Sequence, residues 1–288
     1  MSSCKFNSTN SSIEIITTPE IIRNSFSVLA VFFLLVGIVF LVRLGSQRNQ
    51  NLIIVNLAVI EMISCLNIPR LSKLKGMRIP FMSIKVFSNL AVRMFMLLLL
   101  GDRFLTIFLN IKYPVVITRG KIVKMSSLIW IISCLYGIMQ ATFAAFGDPK
   151  TALIRLHRSW FIHNYIVVVF DSIFIVSSIV TYIYFYFKFK GNLLKDSSQK
   201  SNESLKSNHR RAFNYKIPFM IVGTFWTFNV TSDILYQVEV YHVRNARCCT
   251  HCELLVTIAS FLQISGYISD AIVYIAIQKR VRRMLKKK

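Results

Sequence analysis

An acidic and a basic side chain lie side by side where a long apolar stretch ends. Asp102 and Arg103 directly follow residues 94 to 101, which read MFMLLLLG, and Phe104 adds an aromatic ring. Charges are costly to hold near lipid, so charges at this position indicate a mechanism. The guanidinium group of Arg103 offers five donors in a rigid fork and can pair with the neighbouring carboxylate. Alternatively, the arginine merely extends to the lipid headgroups.

Four more charged side chains lie inside apolar stretches: Glu61, Arg93, Asp171 and Asp270. A charge at the centre of a membrane helix costs about 2.5 to 3.5 kcal/mol even on a lenient insertion scale, so these groups are predicted to face the interior of a bundle. Two carboxylates held close together favour a bound ion or a shared proton between them. A buried arginine such as Arg93 needs a partner.

Membrane-spanning helices are the elements that must position these groups. The 288 residues are 54% hydrophobic with a mean hydropathy of +0.54, whereas a soluble domain is usually about 45 to 50% apolar. A helix needs about 20 residues to cross a hydrocarbon core of about 30 Å. Seven stretches are long enough: 25 to 43, 52 to 70, 80 to 109, 122 to 147, 160 to 187, 213 to 238 and 254 to 278. The sequence therefore predicts an all-α membrane protein with a seven-transmembrane helix bundle.

The charge distribution predicts the orientation. Residues 1 to 24 form a polar tail with glycan acceptor motifs at Asn7 and Asn10, which places the N-terminus outside. Lysine and arginine are then concentrated inside, in agreement with the positive-inside rule. Residues 25 to 278 form the helical domain, and the short basic cytoplasmic tail 279 to 288 is expected to lie on the membrane as an amphipathic helix. The net charge of +23 is spread over short loops, so the lipid bilayer is the expected partner and nucleic acid is not.

Short motifs on several predicted helices resemble the rhodopsin-like (class A) family of G-protein-coupled receptors, as in a divergent orphan branch. They are Asn56-Leu57-Ala58 with Glu61 on the second helix, Asp102-Arg103 on the third, Trp130 on the fourth, Phe225-Trp226 on the sixth and Asp270-Ala271-Ile272-Val273-Tyr274 on the seventh. The motifs follow in the family's order over most of the chain. The resemblance implies a multi-pass receptor of the plasma membrane, not an enzyme, that transmits the signal of an extracellular ligand to a heterotrimeric G protein.

The resemblance also implies an activation latch. Asp102 would hold Arg103 while the bundle is closed, and on opening the arginine would be released toward Tyr274 and the G protein. Trp226 would act as a rotamer switch on the sixth helix.

A polar pocket in the middle of the bundle follows from the same resemblance. Glu61, Asp270 and Asn56 would line it, and in related receptors the matching pair of carboxylates holds an allosteric sodium ion. Val92 and Gly266 stand where the family supplies a serine and an asparagine. Sodium and a plain water-linked polar network therefore both stay open.

The outer half of the bundle is expected to hold the ligand. The third and fifth helices adjoin in the family's fold, which makes Asp171 the candidate partner of Arg93; alternatively, each charge meets water in an outward-opening cavity. Lys85 stands where amine-binding members carry an aspartate, so a cationic amine would be repelled. Asp233 and Tyr236 on the sixth helix are also expected to point toward the outer half, within reach of a ligand. Basic outer loops favour an anionic ligand, such as an acidic peptide or a carboxylated lipid, although a solvated rim without a ligand is the alternative.

The cysteines depart from the family pattern. Arg78 stands at the helix-three position of the usual disulfide. Four cysteines lie in segments expected outside, where thiols oxidise: Cys4, Cys248, Cys249 and Cys252. One hypothesis pairs Cys4 with one of the loop cysteines and closes Cys252 on Cys248 or Cys249. Cys65 and Cys134 are expected to be small buried residues.

Two alternative functions stay open, and missing prolines are among the departures from the family pattern that favour the second of them. Phe228 stands where the family has a proline two residues after Trp226, and the fifth helix has no proline near Ser177. One alternative is a transporter or channel that uses the intramembrane charges as a polar path. The other is a receptor-like scaffold that has lost signalling.

Overall fold

The computed structural model describes residues 18 to 43, 49 to 66, 78 to 109, 113 to 145, 152 to 196, 220, 222 to 244 and 252 to 285. The secondary-structure elements in these ranges are all helices. The long helices are α1 Thr18–Arg43, α2 Asn49–Leu66, α3 Arg78–Leu109, α4 Arg119–Ala145, α5 Ala152–Asp196, α6 Thr231–Arg244 with the π-helical turn Phe225–Val230 directly before it, and α7 Cys252–Leu285. A single helical turn, Tyr113–Val116, lies between α3 and α4.

Several of these helices are apolar over the length of a bilayer. The windows are Ile22–Val39 in α1, Ser83–Thr106 in α3, Arg119–Phe143 in α4 and Ile162–Phe187 in α5, with a shorter apolar helix at Asn51–Cys65 in α2. In hydrocarbon every backbone N–H and C=O must be bonded within its own segment, which forces such sequences into helices.

Helix α3 lies at the centre of the bundle. Of its apolar window 61% is buried, against 17 to 28% for the windows of α1, α4 and α5. Helix α1 packs on α2 and α7, α4 packs on α2, α3 and α5, and α6 packs on α5 and α7. The helices therefore form a ring around α3.

Most of the fully buried side chains are apolar, and large apolar side chains also cover the outside. Phe95, Met96 and Leu99 of α3 are fully buried. Leu135 of α4 is 61% exposed, as expected for a face that meets lipid. At the contact of α3 with α4, a Cβ on Gly137 would lie 3.0 Å from Phe87 Cβ. Glycine therefore permits the close approach of these two helices, as small residues do in membrane bundles.

Helices α5 and α7 extend well beyond the predicted spans. Helix α5 has 45 residues, so at 1.5 Å per residue it is roughly 68 Å long, more than twice the hydrocarbon thickness. Helix α7 runs to Leu285, so the prediction of a separate surface helix after residue 278 is wrong. Residues 279 to 285 contain no glycine or proline, and nothing in their sequence breaks the helix.

The two cysteines on described helices have different environments. Cys65 is 5% exposed, as expected for a small buried residue. Cys134 is exposed on α4, so the prediction that it is buried is wrong. Helix α4 is apolar on all sides, and such a sequence does not reveal which face meets lipid.

Candidate functional site

The charge pair near the end of α3 is buried, and a tyrosine binds to it. Arg103 Nη2 lies 3.3 Å from Asp102 Oδ2, and the two residues are 8% and 4% exposed. Tyr113, in the single turn after α3, donates a hydrogen bond from its hydroxyl to Asp102 Oδ1. Each carboxylate oxygen thus has its own partner, and bonds to an ionised group are the stronger ones. Asp102, Arg103 and Tyr113 are referred to below as the Asp102 cluster.

A second cluster joins α2, α6 and α7 in the core. Glu61 and Asp270 are each 0% exposed and interact with one another and with Tyr274, one turn further along α7. The hydroxyl of Thr224, directly before the π-helical turn, donates to Asp270 Oδ1. These four residues form the Glu61 cluster, and through Thr224 it includes α6.

Four oxygen atoms of the Glu61 cluster are buried without a hydrogen bond of ordinary geometry to any described residue. They are Glu61 Oε1, Glu61 Oε2, Asp270 Oδ2 and the hydroxyl oxygen of Tyr274. An unsatisfied buried polar group costs about 1 to 3 kcal/mol, and more when it is charged. Two adjacent carboxylates in this state favour a shared proton or a bound cation.

Asn56 does not share this cluster, and the prediction that it lines the same pocket as Glu61 and Asp270 is wrong. Its Oδ1 accepts a hydrogen bond of 2.8 Å from Trp130 Nε1, and its Nδ2 donates to Leu52 O at 2.8 Å. Five residues separate Asn56 from Glu61, which turns their side chains about 140° apart around the helix. Asn56 therefore joins α2 to α4.

A third cluster surrounds Arg93 of α3. Its Nε lies 3.0 Å from Asp171 Oδ1 of α5, its Nη2 donates to Asp233 Oδ2 of α6, and its Nη1 donates to Asn89 O at 2.8 Å. The three charged residues are 5 to 8% exposed. The guanidinium group of arginine carries five donors in a rigid fork and can therefore bind several acceptors at once. The structure thus brings Arg93 and Asp171 together and adds Asp233; these three residues form the Arg93 cluster.

Polar contacts continue from the Arg93 cluster toward the start of α3. Lys85 Nζ lies 4.7 Å from the centre of the Tyr236 ring, within the range of a cation–π contact. The Tyr236 hydroxyl lies 2.9 Å from Ser260 Oγ of α7. Asp233 and Tyr236 are three residues apart on α6 and so share a face. The residues predicted for the ligand cavity, Lys85, Asp233 and Tyr236, therefore lie at one end of the bundle.

The aromatic residue of α6 in the core is Phe225 and not Trp226. Phe225 is 1% exposed, whereas Trp226 is 36% exposed. The ring of Phe225 packs edge-on against Phe174 of α5, with 4.9 Å between the ring centres. Adjacent residues on a helix point about 100° apart, so one of the two must turn outward. The expected core position of the rotamer switch is thus taken by Phe225.

The π-helical turn Phe225–Val230 lies where the family's proline would be, at Phe228. Proline and π-helical turns are both established causes of helix kinks. A Cβ on Gly266 of α7 would lie 2.9 Å from Phe228 Cβ. Helix α7 therefore packs closely on this turn, and glycine is needed at the contact.

Three partners in these clusters were not predicted from the sequence. Tyr113 follows Arg103 by ten residues, but only the fold of the turn after α3 brings it back to Asp102. Thr224 is one of many hydroxyl residues in apolar helices. Asp233 was predicted for the ligand cavity and not as a partner of Arg93. It is an acid among uncharged neighbours on α6, and this was the available sign of an ion pair.

Other predicted sites lie outside the described residues. These are the glycan acceptors Asn7 and Asn10 and the cysteines Cys4, Cys248 and Cys249. Cys252 is the first residue of α7. Among the described residues no group of three or more His, Cys, Asp or Glu side chains is arranged to hold a metal ion.

The chain is thus an all-helical polytopic membrane protein with a buried acid–arginine pair near the end of its central helix. The family model described as 7 transmembrane receptor (rhodopsin family) matches residues 33 to 274. The chain belongs to this family, and it is a G-protein-coupled signalling receptor and not an enzyme. A search of curated proteins found no match.

Proposed function

We propose that the chain transmits the signal of an extracellular ligand to a heterotrimeric G protein that binds at the Asp102 end of the bundle. In this orientation the N-terminus lies outside the plasma membrane and residues 279 to 288 lie in the cytoplasm. The observation that carries the proposal is the buried pair of Arg103 and Asp102, 3.3 Å apart, in a chain of the receptor family.

Helix α6 is the element through which the signal passes. It contacts α3 through Asp233 and Arg93 and α7 through Thr224 and Asp270. A ligand shifts an equilibrium only by binding one state better than the other. A ligand that changes the Arg93 cluster thereby changes how α6 is held, and α6 in turn controls access to Arg103.

An anionic ligand fits the outer end of the bundle best. Lys85 lies over the ring of Tyr236 there, and Arg93 holds two carboxylates below it. A ligand carboxylate would pair with Lys85 and compete with Asp233 for the guanidinium group. Release of Asp233 would free α6 from α3.

The residues of the Glu61 cluster also fit a sodium ion. Glu61 and Asp270 would hold it, because three of their buried carboxylate oxygens lack ordinary hydrogen bonds within the described part of the chain and oxygen ligands suit a hard cation. Val92 and Gly266 supply no side-chain oxygen. When bound, the ion would neutralise charge between α2 and α7.

Nucleotide exchange in the absence of ligand tests the proposed latch. The purified chain in lipid nanodiscs is incubated with G-protein heterotrimers of each major class, and exchange of bound nucleotide is followed. Asp102→Asn removes the charge that holds Arg103, so basal exchange is expected to rise several-fold with one class. Asp102→Asn combined with Arg103→Ala is expected to return exchange to the level without receptor.

A conservative neighbour provides the matched control. Thr106 Oγ1 donates to the backbone oxygen of Asp102 at 2.6 Å, so Thr106→Val leaves the carboxylate in place and should leave basal exchange unchanged. If neither Asp102→Asn nor Arg103→Ala alters exchange with any G protein although both variants fold, the receptor-like scaffold is the better description.

A further inference from the structure

A cavity of about 370 Å³ lies between α3, α4 and α5. Its walls include Asp102 but no residue of the Glu61 or Arg93 clusters. Leu98 and Leu105 of α3, Met125 and Leu128 of α4 and Phe170 of α5 are among its walls. Small-molecule sites typically measure about 300 to 1,000 Å³. The cavity is therefore large enough to hold a ligand, and its walls require an apolar one.

The cavity opens sideways, toward lipid. Met125 and Leu128 are 48% and 56% exposed, and both belong to the membrane-length window Arg119–Phe143. The part of α3 that lines it runs from Met94 to Leu105, a rise of roughly 17 Å at 1.5 Å per residue. Half of a hydrocarbon core is about 15 Å thick. The cavity thus matches the depth of a single leaflet, the one that surrounds the Asp102 end.

Two lysines of α4 lie one helical turn before wall residues of the cavity, toward its loop end, which is called its mouth below. Lys121 precedes Met125 by one helical turn, and Lys124 precedes Leu128 by one turn, so each lies on the same strip of α4 as a wall residue. Both are exposed. Lys121 Nζ donates to Val116 O at 2.7 Å, which holds it beside Ile117, another wall residue. An ammonium group has three donors, so further bonds to an anion are available.

The acidic group in the wall does not oppose an anion. Asp102 lines the cavity, but its carboxylate is paired with Arg103 and accepts the hydroxyl of Tyr113. The charge at the mouth is therefore that of the lysines.

We propose that this cavity binds one anionic lipid, with an acyl chain between α3 and α4 and the headgroup on Lys121 and Lys124. In the orientation proposed above, the lipid comes from the cytoplasmic leaflet, which is rich in anionic lipids. Because Asp102 is part of the wall that the acyl chain would contact, the lipid is positioned to influence the latch. Lipid binding itself does not depend on signalling and is tested without a G protein.

Native mass spectrometry of the full chain in detergent tests the site. Phosphatidylserine and phosphatidylcholine with identical acyl chains are added in turn, and the fraction of lipid-bound protein is measured. The chain is expected to retain one phosphatidylserine in preference to phosphatidylcholine. Lys121→Gln with Lys124→Gln should weaken phosphatidylserine binding about 25-fold, since each lysine contributes about fivefold near an anionic surface. Binding of phosphatidylcholine should not change.

A second variant fills the cavity. Gly101 is a wall residue, and a Cβ built on it meets no atom within 4 Å, so Gly101→Leu places a side chain in the space and favours the helix. It should reduce binding of both lipids at least tenfold. Gly223→Leu is the matched control, because Gly223 on the helical run before Phe225 also has open space within 4 Å but lies away from the cavity.

Lipid binding by the two glycine variants and by the double lysine variant tests the site. Loss of the bound lipid in Gly101→Leu, with retention in Gly223→Leu, supports the site. Equal lipid retention in Gly101→Leu and the unchanged chain overturns it. So does a preference for phosphatidylserine that survives the double lysine substitution, or displacement of the phospholipid by cholesterol at equal concentration.

Discussion

Replacing Arg93 with methionine should destabilise the bundle more than the loss of any other single cation on α3. The substitution keeps most of the side-chain volume but leaves the carboxylates of Asp171 and Asp233 buried, 6% and 8% exposed, without the cation that lies between them. Breaking a buried ion pair by removing one partner costs about 3 to 5 kcal/mol. At about 2 to 4 °C per kcal/mol for a chain somewhat smaller than this one, the melting temperature should fall by roughly 6 to 20 °C.

Thermal unfolding of the purified chain in detergent, followed by tryptophan fluorescence, measures this effect. Lys85→Met is the matched control, since it removes another cation of α3 whose contact with Tyr236 is worth about 0.5 to 1 kcal/mol at a partly exposed site. It should lower the melting temperature by a few degrees at most. The triple variant Arg93→Met, Asp171→Leu, Asp233→Leu should recover most of the loss, because apolar replacement of a complete buried ionic group is often neutral or stabilising.

Two results would refute this reasoning. One is a melting temperature for Arg93→Met within 2 °C of that for Lys85→Met, which would mean that the carboxylates reach water or carry protons already. The other is a triple variant less stable than Arg93→Met alone, which would show that packing and not charge dominates at this level of the bundle.

The other predictions concern the packing of α6. Phe225→Ala should cost about 3 to 5 kcal/mol, as for other buried aromatic residues, whereas Trp226→Ala, at a position 36% exposed, should cost less than half as much; equal losses in thermal unfolding would contradict the assigned core. Gly266→Ala should destabilise by about 1 to 3 kcal/mol, because its Cβ would lie 2.9 Å from Phe228 Cβ, while Gly223→Ala, with open space around it, should be neutral or stabilising in the same assay.

The all-helical fold and most helix positions could be predicted from the sequence, because hydropathy and the need for backbone hydrogen bonds act within each segment. Any segment of about 20 apolar residues in a bilayer must be a helix, whatever its neighbours are. The interior face of α3 was accessible for the same reason, since Arg93 and Asp102 are too costly to leave in lipid. The family motifs then supplied the order of the helices around α3.

Asp171 and Asp102 were predicted as partners of the two arginines, but other contacts depend on geometry that the sequence does not encode locally. Asp233 reaches Arg93, and Asn56 reaches Trp130, because of how two helices rotate about their own axes. Such rotations are set by packing over the whole interface, as at Gly137, where α4 approaches α3. Nor did the sequence reveal the π-helical turn, because Phe225–Val230 has no residue type that demands one.

The π-helical turn lets two side chains that lie far apart along the helix form their hydrogen bonds at the same time. Thr224 and Asp233 are nine residues apart, and in a regular α-helix nine steps of about 100° would point them to opposite sides. The extra residue of the turn subtracts one such step and leaves them about 80° apart, so that one reaches Asp270 while the other reaches Arg93. If the turn relaxed into regular helix, α6 would keep one of these bonds and swing the other toward lipid. The one extra residue of the π-helical turn thus makes the bond to Asp270 of α7 and the bond to Arg93 of α3 depend on each other.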